Sequence, residues 1–159
     1  MTKTLISWIL FLIAFSANAD ETKGKSQLVG SWSCSSFTLK DAHFTVNGSG
    51  IVRFSASGKM ISELDYNYIF GEDQKLIIKF ELIGSWKSTR EGIVDSITEV
   101  KIKDIDTSLQ MSNEKLEELV KSNLVLNKET PSQISFSSAE SFTWKTNSSE
   151  EDVVCKSIK

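Results

Sequence analysis

Apolar and polar positions alternate with a period of two along most of the chain, which predicts β-strands with one face toward a core and one toward water. Ala42, Phe44 and Val46 alternate with His43, Thr45 and Asn47, and Asn47-Gly48 then offers the positive φ angles of a tight hairpin turn. The chain returns through Ile51 to Ser55 and turns again at Ser57-Gly58. It then enters its cleanest alternation, with Met60, Leu64, Tyr66, Tyr68 and Phe70 on one side and Glu63, Asp65 and Asn67 on the other. After a predicted loop at Gly71-Glu72-Asp73-Gln74, Leu76, Ile78, Phe80 and Leu82 alternate with Lys75, Lys79 and Glu81. Another extended stretch follows Gly92 through Val94, Thr98, Val100 and Ile102. One inserted helix is predicted near 113–124. Ser112-Asn113 can cap its first free amides, and Leu116, Leu119, Val120 and Leu124 share a face. The β pattern resumes at Ile134–Ser138, Phe142–Thr146 and Val153–Ile158.

About eight or nine strands joined by hairpin-length connections predict a mainly β, antiparallel fold, either a closed up-and-down barrel or a two-sheet sandwich. The cysteines favour the barrel. When a meander closes, its first and last strands become neighbours, which would bring Cys34 and Cys155 within the ~6 Å between Cα atoms that a disulfide spans. Such a bridge removes on the order of 4 to 5 kcal/mol of unfolded-state freedom in the chain-entropy model. The alternative is two buried, reduced thiols, and the spacing excludes a C-x-x-C redox pair.

The first residues are built differently. Lys3 precedes the uncharged apolar run Leu5 to Phe15, and Ala17-Asn18-Ala19 supplies a small-x-small cleavage site. The run is shorter than the ~20 residues that span a bilayer. Residues 1–19 are therefore expected to be a cleaved signal peptide of bacterial export, with Asp20 as the new N-terminus. A polar, flexible leader over 20–27 and a single domain over 28–159 would follow. No cysteine stands at the junction to take a lipid, so a soluble periplasmic protein with no membrane insertion is expected. Without residues 1–19, seventeen Lys and Arg face 21 Asp and Glu. A mildly acidic balance gives no electrostatic footprint for nucleic acid.

Gly-Ser-Trp occurs twice, at Gly30-Ser31-Trp32 and Gly84-Ser85-Trp86. A glycine two residues before a tryptophan lets a strand bend while the indole packs across the end of the sheet. On the first strand of a small secreted β domain, Gly30-Ser31-Trp32 resembles the Gly-x-Trp that opens lipocalins and lipocalin-like barrels. The layout as a whole looks like small exported bacterial proteins of uncharacterised function. It shares with them Gly-Ser-Trp-Ser-Cys at 30–34, the Ser57-Gly58 turn, the midpoint Gly84-Ser85-Trp86, a charged inserted helix and Cys155 near the end. The resemblance implies a barrel with a terminal disulfide. The chain differs from true lipocalins in lacking a Thr-Asp-x-x-Tyr motif, in carrying Lys156 where an arginine is expected, and in placing its helix before the last strands.

Candidate chemistry is sparse. His43, the single histidine, has Asp41 two residues away on the same strand face, a pair that could in principle work as base and orienter. It falls on the face expected to meet solvent. Asp104 and Asp106 share a face without the glycine and distant glutamate of a calcium loop, and Glu150-Glu151-Asp152 forms an acidic loop. No phosphate-cradling glycine loop, zinc spacing or nucleophile elbow occurs, so no enzyme, cofactor or metal is expected. The expected function is a non-catalytic, monomeric periplasmic binding protein for a small apolar ligand, lined by Trp32, Tyr66, Tyr68, Phe80 and Trp86. The alternative is an inhibitor or immunity protein that caps a toxin or wall-degrading enzyme, steered by its acidic loop.

Overall fold

The computed structural model describes residues 24–40, 44–70, 74–146 and 152–158. Eight antiparallel strands follow one another round a closed barrel. They are β1 (Gly30–Lys40), β2 (Thr45–Phe54), β3 (Lys59–Phe70), β4 (Gln74–Ser88), β5 (Gly92–Thr107), β6 (Thr130–Ser138), β7 (Ser141–Thr146) and β8 (Val153–Ile158). Each strand pairs antiparallel with the next, and β1 pairs with β8 to close the ring. The expected eight or nine strands resolve to eight. The inserted helix, Asn113–Asn123, joins β5 to β6, with Leu124 as its C-cap. No helix among the described residues is long and apolar enough to cross a membrane.

Period two fixes which side chains enter the ring. Val46, Val52 and Phe54 on β2, Met60 on β3, Leu76, Ile78, Phe80 and Trp86 on β4, and Phe142 on β7 are all buried. Opposite parity carries the charges outward, where Arg53 on β2 meets Glu63 on β3 at 2.7 Å. The pair holds the Glu63 carboxyl below its ordinary range through the guanidinium hydrogen bond.

The strands are unequal, and that inequality shapes the interior. β5 runs sixteen residues and pairs with β4 from Ser88–Ile93 to Leu76–Thr107. It meets β6 only over Gly92 to Asp95, and β1 meets β8 only over Ser31 to Cys34. The half of the barrel that holds Trp32 and Ile93 is therefore ringed by all eight strands, whereas the far half is a curved sheet of β1 to β5. The inserted helix covers that far half. Ser112 Oγ accepts from the Lys115 amide, as the N-cap expectation requires. Leu116 is 1% exposed and packs with Leu76, Ile78 and Phe80, and Val120 lies against the same cluster. On the wet side Glu117 and Lys121 pair one turn apart at 2.6 Å.

The opposite end is closed by the chain's own beginning. Residues 24–28 are helical, so residues 24–27 of the expected polar leader are ordered into a turn that delivers Leu28 into the core at 2% exposure. Trp32 Nε1 donates to the Leu28 carbonyl at 2.8 Å and so ties the turn to β1. Trp86 does comparable work on the neighbouring hairpin, where its Nε1 donates to the Ser55 carbonyl at 3.2 Å. The Ser57-Gly58 turn forms as expected, with Gly58 at φ 84°.

One sequence expectation is corrected. Asn47-Gly48 is not a turn: both residues lie inside β2, where they pair with Thr38 and Phe37 on β1 and with Asn67 and Tyr66 on β3. Gly48 is small because a Cβ there would stand 2.9 Å from Tyr66 Cε1 and closer still to the Phe37 ring. Along β5, the extended stretch expected after Gly92, the inward residues near its start are Ile93, Asp95 and Ile97. Register shifts between Ile83 and Gly84 and between Lys79 and Phe80 each leave one β5 residue unpaired and swap its faces. A sequence read with one fixed period cannot carry that swap.

Several expectations fall outside the described residues: the signal peptide over 1–19, leader residues 20–23, the Asp41 and His43 pair, most of the Gly71-Glu72-Asp73 loop with Gln74 as the first residue of β4, and Glu150-Glu151 of the acidic loop. Asp152, which is described, lies 3.9 Å from Lys145.

Candidate functional site

Packing is dense at the two ends of the barrel and open between them. The closed end is filled by Leu28, Trp32, Phe54, Met60, Trp86, Ile93 and Phe142. Trp32 sits edge-on to Phe142 at 4.7 Å between centroids, and Phe54 edge-on to Trp86 at 5.1 Å. The helix end is filled by Leu76, Ile78, Phe80 and Leu116, with Tyr66 and Tyr68 packed beside them. Between these layers lies a cavity of about 340 Å³.

Its walls come from nearly every strand. Phe37 on β1, Val52 on β2, Met60 and Leu64 on β3, Ile97 on β5 and Trp144 on β7 are among its apolar lining. Cys34 and Val153 close the side where β1 and β8 meet. Cys34 and Cys155 form a disulfide whose Cα atoms are 4.0 Å apart, so the expected bridge also forms part of the cavity wall. Gly50, which lines the cavity, pairs with both Cys34 and Leu64. A Cβ at Gly50 would collide with the Glu63 carbonyl and the Leu64 side chain, so the strands approach each other here more closely than a larger residue allows.

The polar residues of the lining are few: Ser35, Ser49, Ser62, Tyr66 and Asp95. Burial pushes the Tyr66 phenol up to about 12, with Tyr68 adding to the shift, so Tyr66 is a neutral donor at any physiological pH. Burial also raises the Tyr68 hydroxyl. Asp95 is pushed up to about 6 by burial, against a hydrogen bond from its own backbone that pulls the other way. The Trp144 indole nitrogen is buried and has no hydrogen-bond partner among the described residues.

Of the five aromatic residues expected to line a ligand site, the structure places Tyr66 in the cavity wall. Trp32 and Trp86 belong to the closed end, and Tyr68 and Phe80 to the layer under the helix. The aromatic stripe thus divides between packing and lining. Trp144 and Asp95 were missed. Phe142-Thr143-Trp144-Lys145 alternates cleanly and could have pointed Trp144 inward. For Asp95 the signal is ambiguous, because Ile93, Asp95 and Ile97 on one face compete with Val94, Ser96 and Thr98 on the other.

Asp104 and Asp106 are exposed, and Asp106 lies 3.8 Å from Lys75. Among the described residues no group of three or more His, Cys, Asp or Glu side chains converges as a metal site would require. A scan against protein-family models finds no match to the chain, and a search of curated proteins likewise finds none.

Proposed function

We propose that this chain is an exported, non-catalytic binding protein of lipocalin-like design that holds a small, largely apolar molecule in the middle of its barrel. The observation that carries this reading is the cavity itself: about 340 Å³ lined mainly by apolar and aromatic side chains, between two well-packed ends. A barrel interior need not be hollow. Small eight-stranded barrels can fill theirs with side chains, so an apolar void here forgoes contacts that a ligand would restore. The disulfide across the β1–β8 seam suits an oxidising compartment and supports the periplasmic location expected from the first nineteen residues.

The test is titration of the purified protein with N-phenyl-1-naphthylamine, a neutral apolar fluorophore, following both its emission and that of tryptophan. Saturable binding with one site is expected. Ser62→Leu, which directs an apolar side chain into the cavity from a position only 6% exposed, should abolish it while leaving the circular dichroism spectrum intact. Failure of the probe to bind saturably, or binding that Ser62→Leu does not change, overturns the reading. Recovery of a stoichiometric protein partner from periplasmic extract together with no probe binding would turn the case toward an inhibitor or immunity protein.

A further inference from the structure

One side chain in the cavity wall is out of keeping with the rest. Among the described lining residues Asp95 alone carries a charge at neutral pH, and it makes no ion pair with any described residue. It is aimed inward by the register of β5, flanked on its own strand by Ile93 and Ile97, with Trp86 opposite it on β4 and Thr130 opposite it on β6. From the other walls the cavity presents Cys34, Ser35 and Phe37 on β1, Ser49 on β2, Ser62, Leu64 and Tyr66 on β3, Trp144 on β7 and Val153 on β8. None is basic. The titratable member of that set, Tyr66, stays neutral.

We infer that the molecule held in this cavity carries a protonated amine, with the Asp95 carboxylate as its counter-ion and its apolar remainder against Met60, Leu64, Ile97 and Trp144. The inference rests on the reading of the cavity as a binding site and specifies the class of molecule it selects. A carboxylate set among apolar walls is poorly compensated, and an ammonium group supplies both the opposite charge and the hydrogen-bond donors that the walls lack. A neutral alcohol offers one donor and leaves the charge standing. An anionic ligand such as a fatty acid would meet like charge in a poorly screened site, which selects against the ligand that an all-apolar barrel would favour. A metal ion is a poor occupant, because among the described residues no second or third acidic, thiol or imidazole ligand lines the cavity.

Size narrows the class further. A cavity of about 340 Å³ suits a compact amine, an alkylamine or an arylalkylamine, better than a two-chain lipid. A second influence is pH. Asp95 rises to about 6, so its charge is largely present at neutral pH and fades in mild acid. Alkylamines remain protonated across that range, so a change of affinity there reports on the carboxylate.

The experiment uses three probes of one chain length, octylamine, octanol and octanoate, titrated by calorimetry into the purified protein and into Asp95→Asn and Asp95→Glu. At about pH 7.5 octylamine should bind about tenfold or more tightly than octanol, with octanoate weakest. Asp95→Asn should bring octylamine to the level of octanol without weakening octanol, and Asp95→Glu should retain the amine preference. In the unmutated protein the preference should shrink at about pH 5, where Asp95 is protonated. Equal affinity for octylamine and octanol, or a preference that survives Asp95→Asn, overturns the inference while leaving the cavity a binding site. Failure of octanol and octylamine alike to bind overturns both.

Discussion

Cys34 on β1 and Cys155 on β8 face each other as register partners across the seam that closes the barrel, with their Cα atoms 4.0 Å apart. They are 121 positions apart in sequence, and β1 and β8 share only four register pairs, Ser31 to Cys34 against Ile158 to Cys155. Like the equally short β5–β6 join, which the inserted helix bridges, this seam between the first and last strands has no local hairpin to hold it in register. The disulfide stands at the end of that seam where the hydrogen bonding stops and the cavity begins.

Reducing the bridge, or replacing both cysteines by serine, should therefore cost about 2 to 5 kcal/mol of unfolding free energy in urea denaturation. Amide exchange should localise the loss. Protection along Ser31–Cys34 and Val153–Ile158 should fall first, with the β3–β4 hairpin keeping its protection. Uniform loss around the ring would show that the bridge acts on the unfolded chain alone.

The two Gly-Ser-Trp copies yield a paired prediction. Trp32→Phe removes the bond from Nε1 to the Leu28 carbonyl and should destabilise the protein by about 1 to 3 kcal/mol, combining a lost buried hydrogen bond with lost ring volume. The readout that separates it from a generic core mutation is exchange of the amides over residues 24–28, which should become unprotected. Trp86→Phe should leave those amides protected and loosen the hairpin at Ser55 instead, since its indole donates to the Ser55 carbonyl.

The features legible in the sequence share a cause. Strand existence, the capped helix, the closure and the disulfide all follow from patterns within one element, or from the single topological fact that a closing meander joins its ends. Ser112 caps the helix, and Cys34 meets Cys155, for reasons visible in a line of letters. The cavity follows from another kind of fact. Which inward side chains fill the ring depends on the level at which each strand begins and on two register shifts along β5, so Trp32 and Phe80 became packing at opposite ends while Met60 and Ile97 became walls. Asp95 was obscured for the same reason: its face is decided by register, and Ile93 and Ile97 on its own face compete with Val94 on the other.

Gly48 shows how glycine can be mistaken for a turn signal when it serves close approach, and Gly84 serves close approach as well. At Gly48 a Cβ meets side-chain rings, Phe37 and Tyr66, which can give way by rotating. At Gly84, beside the register shift of β4, it meets the Ser96 backbone carbonyl, which cannot move without disturbing the ladder. Gly84→Ala should accordingly be the more damaging, about 3 kcal/mol or more against about 1 to 3 for Gly48→Ala, as measured by chemical denaturation. The reverse order would mean that the β4–β5 shift relaxes freely.

Asp95 links stability to the proposed ligand. Its folded-state pKa of about 6 lies above the ordinary 3.8, so the folded protein binds the extra proton between those values and the unfolded chain does not. The stability that this proton contributes is fully present below about pH 4 and is lost as pH rises through about 6. Asp95→Asn cannot titrate and should flatten that slope. At neutral pH it should be more stable than the parent by on the order of 1 kcal/mol, a figure discounted for the solvent that still reaches the carboxylate, and the gap should close by about pH 4. Thermal unfolding followed from about pH 4 to about pH 8 measures both. A destabilised Asp95→Asn at neutral pH would mean that the carboxylate already has a partner within the protein. A stabilised one leaves a charge retained at a cost to folding, which is what a site that waits for a cation requires.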